Sequence, residues 1–239
     1  MNKLKKLKIE IFADGANLND IKKLNKNKMI KGFTTNPSLM RKDGVKNYSK
    51  FAKDLLKNIK KPISFEVFAD TEKEIIKQAL SISSWGENVY VKIPILYTSG
   101  ASTKKVIHIL SNKYKIKLNL TAIFTKIQIK EAIENLDPNS KSIISIFAGR
   151  ITDTGIDTNQ MFSYANKIKK LKKSKVKILW ASTREVYNIF QANKIGANII
   201  TVPSNILNKL NKISFNLNKY SIETAKEFYR DAKKSGFRV

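Results

Sequence analysis

Short β-rich runs and helical patterns alternate along the whole sequence, and this alternation constrains the fold more than any other feature. Short strands that are each followed by a helix are typical of parallel βα units. The β-rich runs lie at 8–14, 30–34, 63–69, 89–95, 116–121, 142–148, 176–182 and 198–202. The clearest helical patterns lie at 71–83, 103–113, 125–134, 158–172 and 184–193. Eight such units in 239 residues predict a (β/α)8 barrel, or TIM barrel, rather than an open sheet.

The barrel is predicted to be one domain over residues 1–239, because the 9 Gly and 5 Pro are scattered and form no linker. An amphipathic pattern near the end predicts a C-terminal helix at about 220–235. Its apolar face packs either on the chain's own barrel or on a neighbouring subunit.

Polar residues recur on one face of the predicted strands. Side chains alternate along a strand, so Ser64, Glu66 and Phe68 share a face of the third strand, and Trp180 shares a face with Ser182. An interior filled only for packing would use Val, Ile and Leu, because an unpaired buried polar group costs about 1 to 3 kcal/mol. The polar residues expected to line the axis or its mouth are Asp14, Glu66, Lys92, Thr121, Ser145 and Ser182. They predict a site at the C-terminal ends of the strands, where active sites of such barrels lie.

Lys92 lies in the middle of the apolar run 89–95. If this strand is buried, the pKa of the amine is lowered, and a neutral amine can attack a carbonyl group to form a Schiff base. If the strand is at an edge, Lys92 points to solvent. The other polar strand residues favour the first interpretation.

The sequence contains five arginines, at positions 41, 150, 184, 230 and 238, beside 41 lysines. Arg150 and Arg184 closely follow the sixth and seventh strands, so both are expected at the mouth of the barrel, where two guanidinium groups can clamp a phosphate. Surface ion pairs are the alternative.

Composition excludes several kinds of chemistry. The chain has no cysteine, and its one histidine, His108, is expected to pack within a helix, so neither a metal site nor a thiol nucleophile is predicted. The basic N-terminus, residues 1–6, is not followed by an apolar signal segment, and a cytoplasmic protein without a membrane partner is expected. The formal charge of +27 is spread over many segments, which predicts weak polyanion association and no specific nucleic-acid site.

Several segments together resemble one enzyme family. Residues 32–40, Gly-Phe-Thr-Thr-Asn-Pro-Ser-Leu-Met, and 91–94, Val-Lys-Ile-Pro, are similar to the two signatures of transaldolases and the related fructose-6-phosphate aldolases. The similarity continues in order through 13–17, 65–67, 119–121, 145–151 and 181–184. The resemblance therefore covers nearly the whole chain and implies the same (β/α)8 barrel.

The resemblance also implies roles for individual residues. Lys92 would form a Schiff base with a ketose phosphate, Asp14 would exchange the proton of the C4 hydroxyl, and Glu66 with Thr121 would position a water molecule. Substrate binding is implied for Thr34, Asn36, Asn119, Ser145, Phe147, Arg150, Ser182 and Arg184. The net reaction would move a dihydroxyacetone unit from a donor such as sedoheptulose 7-phosphate to glyceraldehyde 3-phosphate. The resemblance implies no cofactor or metal. It also implies that the reaction belongs to the pentose phosphate pathway.

The aldolase branch of the family is the nearest alternative. That branch typically has glutamine at the position of Glu66 and tyrosine at the position of Phe147, so the residues here favour transfer. Residues 95–100 and Gly15 differ from the family pattern. The interpretation that this chain is a relative acting on another sugar phosphate therefore stays open. A non-catalytic barrel that binds sugar phosphates or polyanions is the third interpretation. The short family branch extends its C-terminal helix to a neighbouring subunit, which implies a homo-oligomer.

Overall fold

The strands close into a parallel barrel. The computed structural model describes Leu4 and residues 6–237, and in this part of the chain the strands are hydrogen-bonded in the order β1 to β8, with β8 returning to β1. The strands are β1 Glu10–Asp14, β2 Ile30–Thr34, β3 Ile63–Glu66, β4 Val89–Pro94, β5 Leu118–Ile123, β6 Ile143–Ile146, β7 Lys177–Trp180 and β8 Ile199–Pro203. The predicted TIM barrel is therefore confirmed. Most of the basic segment 1–6 lies outside the described residues, as does Arg238.

Helices follow the strands and cover the outside of the barrel. They are α1 Leu18–Asn25, α2 Pro37–Lys42, α3 Tyr48–Leu56, α4 Glu72–Ser83, α5 Lys104–His108, α6 Lys126–Asn135, α7 Ala148–Thr152, α8 Asn159–Leu171, α9 Tyr187–Lys194, α10 Ser204–Leu207 and α11 Leu217–Ser235. The α5 helix continues into a π turn over Ile109–Lys113, and a 3₁₀ turn covers Leu210–Lys212. Within the described residues, none of these helices combines the length and the apolar content needed to cross a membrane.

Side-chain caps fix where several helices begin. The Thr125 hydroxyl accepts a hydrogen bond from the backbone N–H of Gln128, whose side chain accepts one in return from the backbone of Thr125. Asn36 caps α2 by accepting a hydrogen bond from the N–H of Leu39 at 3.0 Å, and Pro37 takes the first helical position, where its missing N–H is not needed.

The apolar core has two layers. The larger layer lies between the strands and the helices and contains buried residues such as Phe33, Phe65 and Phe162. The smaller layer fills the inside of the barrel with Phe12, Ile143, Leu179, Ala181 and Ile199. The inner layer occupies the axis below the strand ends, and the polar side chains that line the cavity described below lie on its C-terminal side.

Four local expectations were wrong. Trp180 points outward and stacks on Phe162 with ring centroids 5.3 Å apart, so Leu179 and Ala181, not Trp180, face the axis. The third strand ends at Glu66, and Phe68 lies beyond it, 52 % exposed against Tyr48. Ser182 follows β7 instead of ending it and has a left-handed backbone, with φ of 63°. His108 is exposed on α5 rather than packed.

Candidate active site

A cavity of about 200 Å³ opens at the C-terminal ends of the strands. It brings together all but one of the residues singled out from the sequence. Those that line it are Asp14, Thr34, Asn36, Lys92, Asn119, Thr121, Ser145, Phe147, Arg150, Ser182 and Arg184. Glu66 is the exception, because it does not line the cavity and lies beside the Lys92 amine instead.

Lys92 lies on the floor of the cavity and is only 8 % exposed. Glu66 on β3 is paired in register with Lys92 on β4, so both side chains point inward from adjacent strands. The Lys92 Nζ atom lies 3.1 Å from Glu66 Oε2 and donates a hydrogen bond to the backbone oxygen of Thr35 at 3.2 Å. The amine is therefore held between a carboxylate and a carbonyl group, away from bulk water.

Asp14 ends β1 and points into the cavity from the wall beside Lys92. Its carboxylate accepts a hydrogen bond from the Thr34 hydroxyl at 2.7 Å, and Thr34 also contacts the hydroxyl of Thr201 on β8. Burial raises the pKa of Asp14 above its ordinary value, whereas attraction to Lys92 and the hydrogen bond from Thr34 oppose this rise. A carboxyl group with a raised pKa is suited to exchange protons with a substrate.

A chain of hydrogen bonds crosses the interior beneath the cavity. The Asn119 amide donates to the Ser64 hydroxyl at 2.9 Å and accepts from the Ser145 hydroxyl at 2.6 Å, and all three residues are buried. These bonds fix the orientation of the amide and leave part of its hydrogen-bonding capacity for another group. Asn36, by contrast, already uses its side-chain oxygen to cap α2, so its amide nitrogen is the part that can reach a ligand.

The hydroxyl of Thr121 is the buried polar group that protein atoms leave unsatisfied at this site. It is 2 % exposed, lines the cavity, and has no hydrogen-bond partner among the described residues. Leaving such a group unpaired costs about 1 to 3 kcal/mol. A water molecule or a substrate hydroxyl in the cavity would satisfy it.

Two arginines stand at the mouth on the side of β6 and β7. The Arg150 guanidinium lies over the Phe147 ring at 5.4 Å from the ring centroid. Arg184 pairs with Asp153, its Nε lying 3.2 Å from Oδ1 and its Nη2 contacting Oδ2. Arg184 therefore forms the surface ion pair that was the alternative to phosphate binding, and its side chain also lines the cavity.

A close backbone approach joins the two arginine segments. A Cβ atom added at Gly149 would lie 1.6 Å from the backbone oxygen of Ser182 and 3.2 Å from Cγ of Arg184. The segment that carries Arg150 can therefore approach the turn of Ser182 and Arg184 only with glycine at position 149.

Sequence reasoning missed several residues of the site. Thr201, Thr183 and Pro203 line the cavity, and Asp153 positions Arg184 from outside it. Thr201 was the detectable one, because it is a polar residue between the apolar residues of β8 and shares a face with Ile199. The contact of Asp153 gives no such signal, because it depends on how a loop turns.

Comparisons with known proteins agree on one family. The family model described as "Transaldolase/Fructose-6-phosphate aldolase" matches residues 11–238. A "Probable transaldolase" of Thermoanaerobacter sp. (strain X514) is 32% identical over 224 residues, 94% of this chain and 98% of that protein. A "Probable transaldolase" of Streptococcus pyogenes serotype M5 (strain Manfredo) is 34% identical over 202 residues, 84% of this chain and 90% of that protein.

A solved structure shows the same fold at low sequence similarity. A protein of Burkholderia cenocepacia J2315 named as a lyase/mutase superposes with a TM-score of 0.60 at 9% identity, covering 96% of this chain and 84% of that one. At this identity the likeness concerns the fold alone.

Proposed function

Because the chain belongs to the transaldolase/fructose-6-phosphate aldolase family, we propose that this enzyme transfers a three-carbon dihydroxyacetone unit between sugar phosphates through a Schiff base on Lys92. One observation carries the proposal. The Lys92 amine is buried 3.1 Å from the Glu66 carboxylate, on the floor of a cavity that also contains Asp14 and two arginines. A cavity that only held a sugar phosphate would have no use for a buried amine beside a carboxylate.

The first half of the reaction forms the covalent intermediate. Lys92 gives a proton to Glu66, attacks the ketone carbon of the donor and forms a carbinolamine. A water molecule held by Glu66 and the unsatisfied Thr121 hydroxyl relays a proton to the carbinolamine hydroxyl, which leaves as water. The product is an iminium ion, whose positive nitrogen accepts electrons from the neighbouring bonds.

The second half breaks one carbon–carbon bond and makes another. Asp14 takes the proton of the C4 hydroxyl, the C3–C4 bond breaks, and its electron pair moves into the iminium to give an enamine while the aldehyde departs. An acceptor aldehyde then enters, the enamine attacks its carbonyl carbon, and Asp14 returns the proton. Hydrolysis of the new iminium releases the product. Asn119, Ser145, Thr34 and Asn36 would hold substrate hydroxyl groups during these steps.

The phosphate group of the substrate would bind at the arginine side of the cavity. Arg150, Ser182 and Arg184 line the same wall, and two guanidinium groups with a hydroxyl match the charge and the acceptor oxygens of a phosphate. We infer that donors and acceptors are sugar phosphates for this reason. The reaction would then belong to the pentose phosphate pathway in the cytoplasm.

Transfer is favoured over simple aldol cleavage by the residue at position 147. Phe147 lines the cavity and packs against Phe124, with ring centroids 5.5 Å apart. A phenyl ring has no proton to give to the enamine, so the enamine would persist until an acceptor aldehyde arrives. Fructose-6-phosphate aldolase activity is the alternative, and it would release free dihydroxyacetone. The loop 95–100 differs from the family pattern, and its Thr98 donates two hydrogen bonds to the Asp70 carboxylate. This loop would determine which acceptor aldehyde fits.

We also propose that the enzyme is a homo-oligomer joined through α11. Within Leu217–Ser235 no side chain is buried, although Ile222, Phe228 and Tyr229 lie at 56 %, 69 % and 64 % exposure on the predicted apolar face. The exposure of these apolar side chains agrees with the family resemblance, because the short branch of the family uses this helix as a contact between subunits. Light scattering after chromatography tests it: a variant with Ile222, Phe228 and Tyr229 replaced by Ser is expected to lose the oligomer.

Reductive trapping tests the chemistry. The enzyme is incubated with fructose 6-phosphate or sedoheptulose 7-phosphate, reduced with borohydride, digested and mapped by mass spectrometry. We expect a three-carbon adduct on the peptide that contains Lys92, none in Lys92→Met, and an unchanged adduct in Lys117→Met, which alters a lysine at the other end of the barrel. An adduct on another lysine, or none with a broad ketose panel, would refute the proposal. Free dihydroxyacetone formed without an acceptor would favour the aldolase alternative.

A further inference from the structure

The two ends of the barrel carry opposite charge. We define the strand-start face as the segments that lead into the strands, at 6–10, 26–31, 57–63, 84–89, 114–118, 136–143, 172–177 and 195–199. These described segments contain fifteen lysines, three acidic residues and no arginine. The strand-end connections at 14–17, 34–36, 66–71, 94–103, 123–125, 146–158 and 180–186 contain six acidic residues and two arginines. The lysines are evenly spread along the sequence, but in space many of them gather at the end opposite the cavity.

Lysines on neighbouring strands of this face lie close enough to affect one another. Besides burial, the positive charge of Lys31 lowers the pKa of Lys61, and the charge of Lys141 lowers that of Lys117. Both effects come from a lysine on the adjacent strand or the segment leading to it. Burial is the larger cause of both shifts, and the repulsion between neighbouring lysines adds to it. A polyanion would relieve this repulsion.

The acidic residues of the strand-start face neutralise only a small part of its charge. Glu10 pairs with Lys177 at the axis, and Asp137 pairs with Lys115 at 2.9 Å. The backbone oxygen of Glu87 accepts a hydrogen bond from Lys117, whose charge the Glu87 carboxylate also stabilises. Most other lysines of the face, including Lys31, Lys60, Lys141 and Lys175, are exposed and form no ion pair within the described part of the chain.

We propose that the strand-start face binds the phosphodiester backbone of double-helical nucleic acid, without reading its sequence. Lysine ammonium groups act as point charges toward phosphates and need no fixed geometry, whereas base readout typically uses arginine or amide forks. Single-stranded binding would use stacked aromatic rings, and the exposed large aromatic residue in the described segments of this face is Tyr114. The face also lacks an apolar anchor within those segments, which a membrane surface would favour.

A second copy of this chain is a weaker partner for the same face. The acidic strand-end connections would complement the lysines in charge, but they surround the cavity mouth, so stacking of this kind would close the site. The nucleic-acid proposal does not depend on the proposed reaction, because the two sites lie at opposite ends of the barrel. Loss of one activity would leave the other measurable.

Fluorescence anisotropy with a labelled DNA duplex of about 20 base pairs tests the proposal. We expect the logarithm of the affinity to fall linearly with the logarithm of salt concentration between about 50 and 200 mM, because each neutralised phosphate releases counterions. A variant with Lys31, Lys60, Lys141 and Lys175 changed to Gln should bind at least about tenfold more weakly. The magnitude of its salt slope should fall by about 3 to 4.

A control variant separates the effect of the strand-start face from the effect of the total charge of the protein. It changes Lys50, Lys73, Lys104 and Lys130, which are exposed on the helices around the barrel, to Gln and so lowers the net charge equally. The control should keep the affinity and salt slope of the unchanged protein. Equal losses in both variants, no salt-dependent binding, or tighter binding to anionic lipid vesicles than to the duplex would overturn the proposal.

Discussion

Nζ of Lys92 lies 3.1 Å from Oε2 of Glu66, and the two residues are paired in register on adjacent parallel strands. Paired strands, and not a loop, place the two residues side by side, so their proximity does not depend on how a loop turns. Glu66 is the ion-pair partner of the buried amine and therefore the nearest group that can take its proton before attack.

Replacing Glu66 by Gln should slow formation of the trapped adduct by about two to four powers of ten, because the proton acceptor is lost while the shape is kept. Rapid mixing with fructose 6-phosphate, followed by borohydride quench at timed intervals, measures this rate. Glu72→Gln is the control, since Glu72 pairs with the exposed Lys105. An unchanged rate in Glu66→Gln would assign the proton transfer to another group.

The fold and the position of the site could be predicted from the sequence because both depend on strand periodicity. The alternation of side chains along a strand placed Lys92 and Thr121 on the inner face of the barrel. The C-terminal ends of parallel strands meet at one end of the barrel, independently of the loop conformations. Trp180 was misplaced because β7 ends at that residue and the face of Ser182 beyond the strand no longer follows the alternation. The Asp153–Arg184 pair and the gathering of lysines depend on loop paths and on distant strand starts, which no local pattern encodes.

Replacing Phe147 by Tyr should increase release of free dihydroxyacetone from fructose 6-phosphate in the absence of an acceptor. The new hydroxyl would face the cavity and supply a proton to the enamine, an effect of at least about tenfold for a positioned proton donor. An assay of free dihydroxyacetone measures it. Phe124→Tyr places a hydroxyl on the ring packed against Phe147 and should have no such effect. Equal release from both variants would contradict the role given to position 147.

Replacing Arg184 by Met should raise the KM for phosphorylated donors by about 10- to 100-fold, with a smaller change in kcat. A hydrogen bond to a charged group contributes about 1.5 to 3 kcal/mol. Steady-state kinetics with fructose 6-phosphate and with unphosphorylated fructose separate the effect, which should appear only with the phosphate. Arg41→Met, on α2, is the control. An equal rise for both sugars would mean that Arg184 supports the fold of the site and does not bind phosphate.

Replacing Gly149 by Ala should destabilise the protein and weaken substrate binding. The added Cβ would lie 1.6 Å from the Ser182 backbone oxygen, so the segments that carry Arg150 and Arg184 must separate. Overpacking of this kind typically costs about 1 to 3 kcal/mol or more. Gly15→Ala is the matched control, because a Cβ there meets no atom of the described residues within 4 Å. Thermal unfolding should show a lower Tm for Gly149→Ala only; equal Tm values would refute the close approach.

Replacing Asp14 by Asn should abolish turnover yet stabilise the protein at neutral pH. Burial raises the folded-state pKa of Asp14 above its ordinary value of 3.8, so the free energy of unfolding falls as pH rises from about that value through the folded-state pKa. The Asn variant lacks this loss and can still accept the hydrogen bond from Thr34. At pH 7 its Tm should therefore exceed that of the unchanged protein, and in a chain of this size each kcal/mol of difference shifts the Tm by roughly 2 to 4 °C.

The pH dependence of that difference identifies its cause. Below about pH 3.8 the Asp14 carboxyl is protonated in both the folded and the unfolded chain, so the two Tm values should converge there. Asp231→Asn, at an exposed position of α11, should show little difference at any pH. A Tm difference for Asp14→Asn that persists in acid would point to altered packing, whereas a lower Tm at pH 7 would mean that the attraction to Lys92 outweighs the effect of burial.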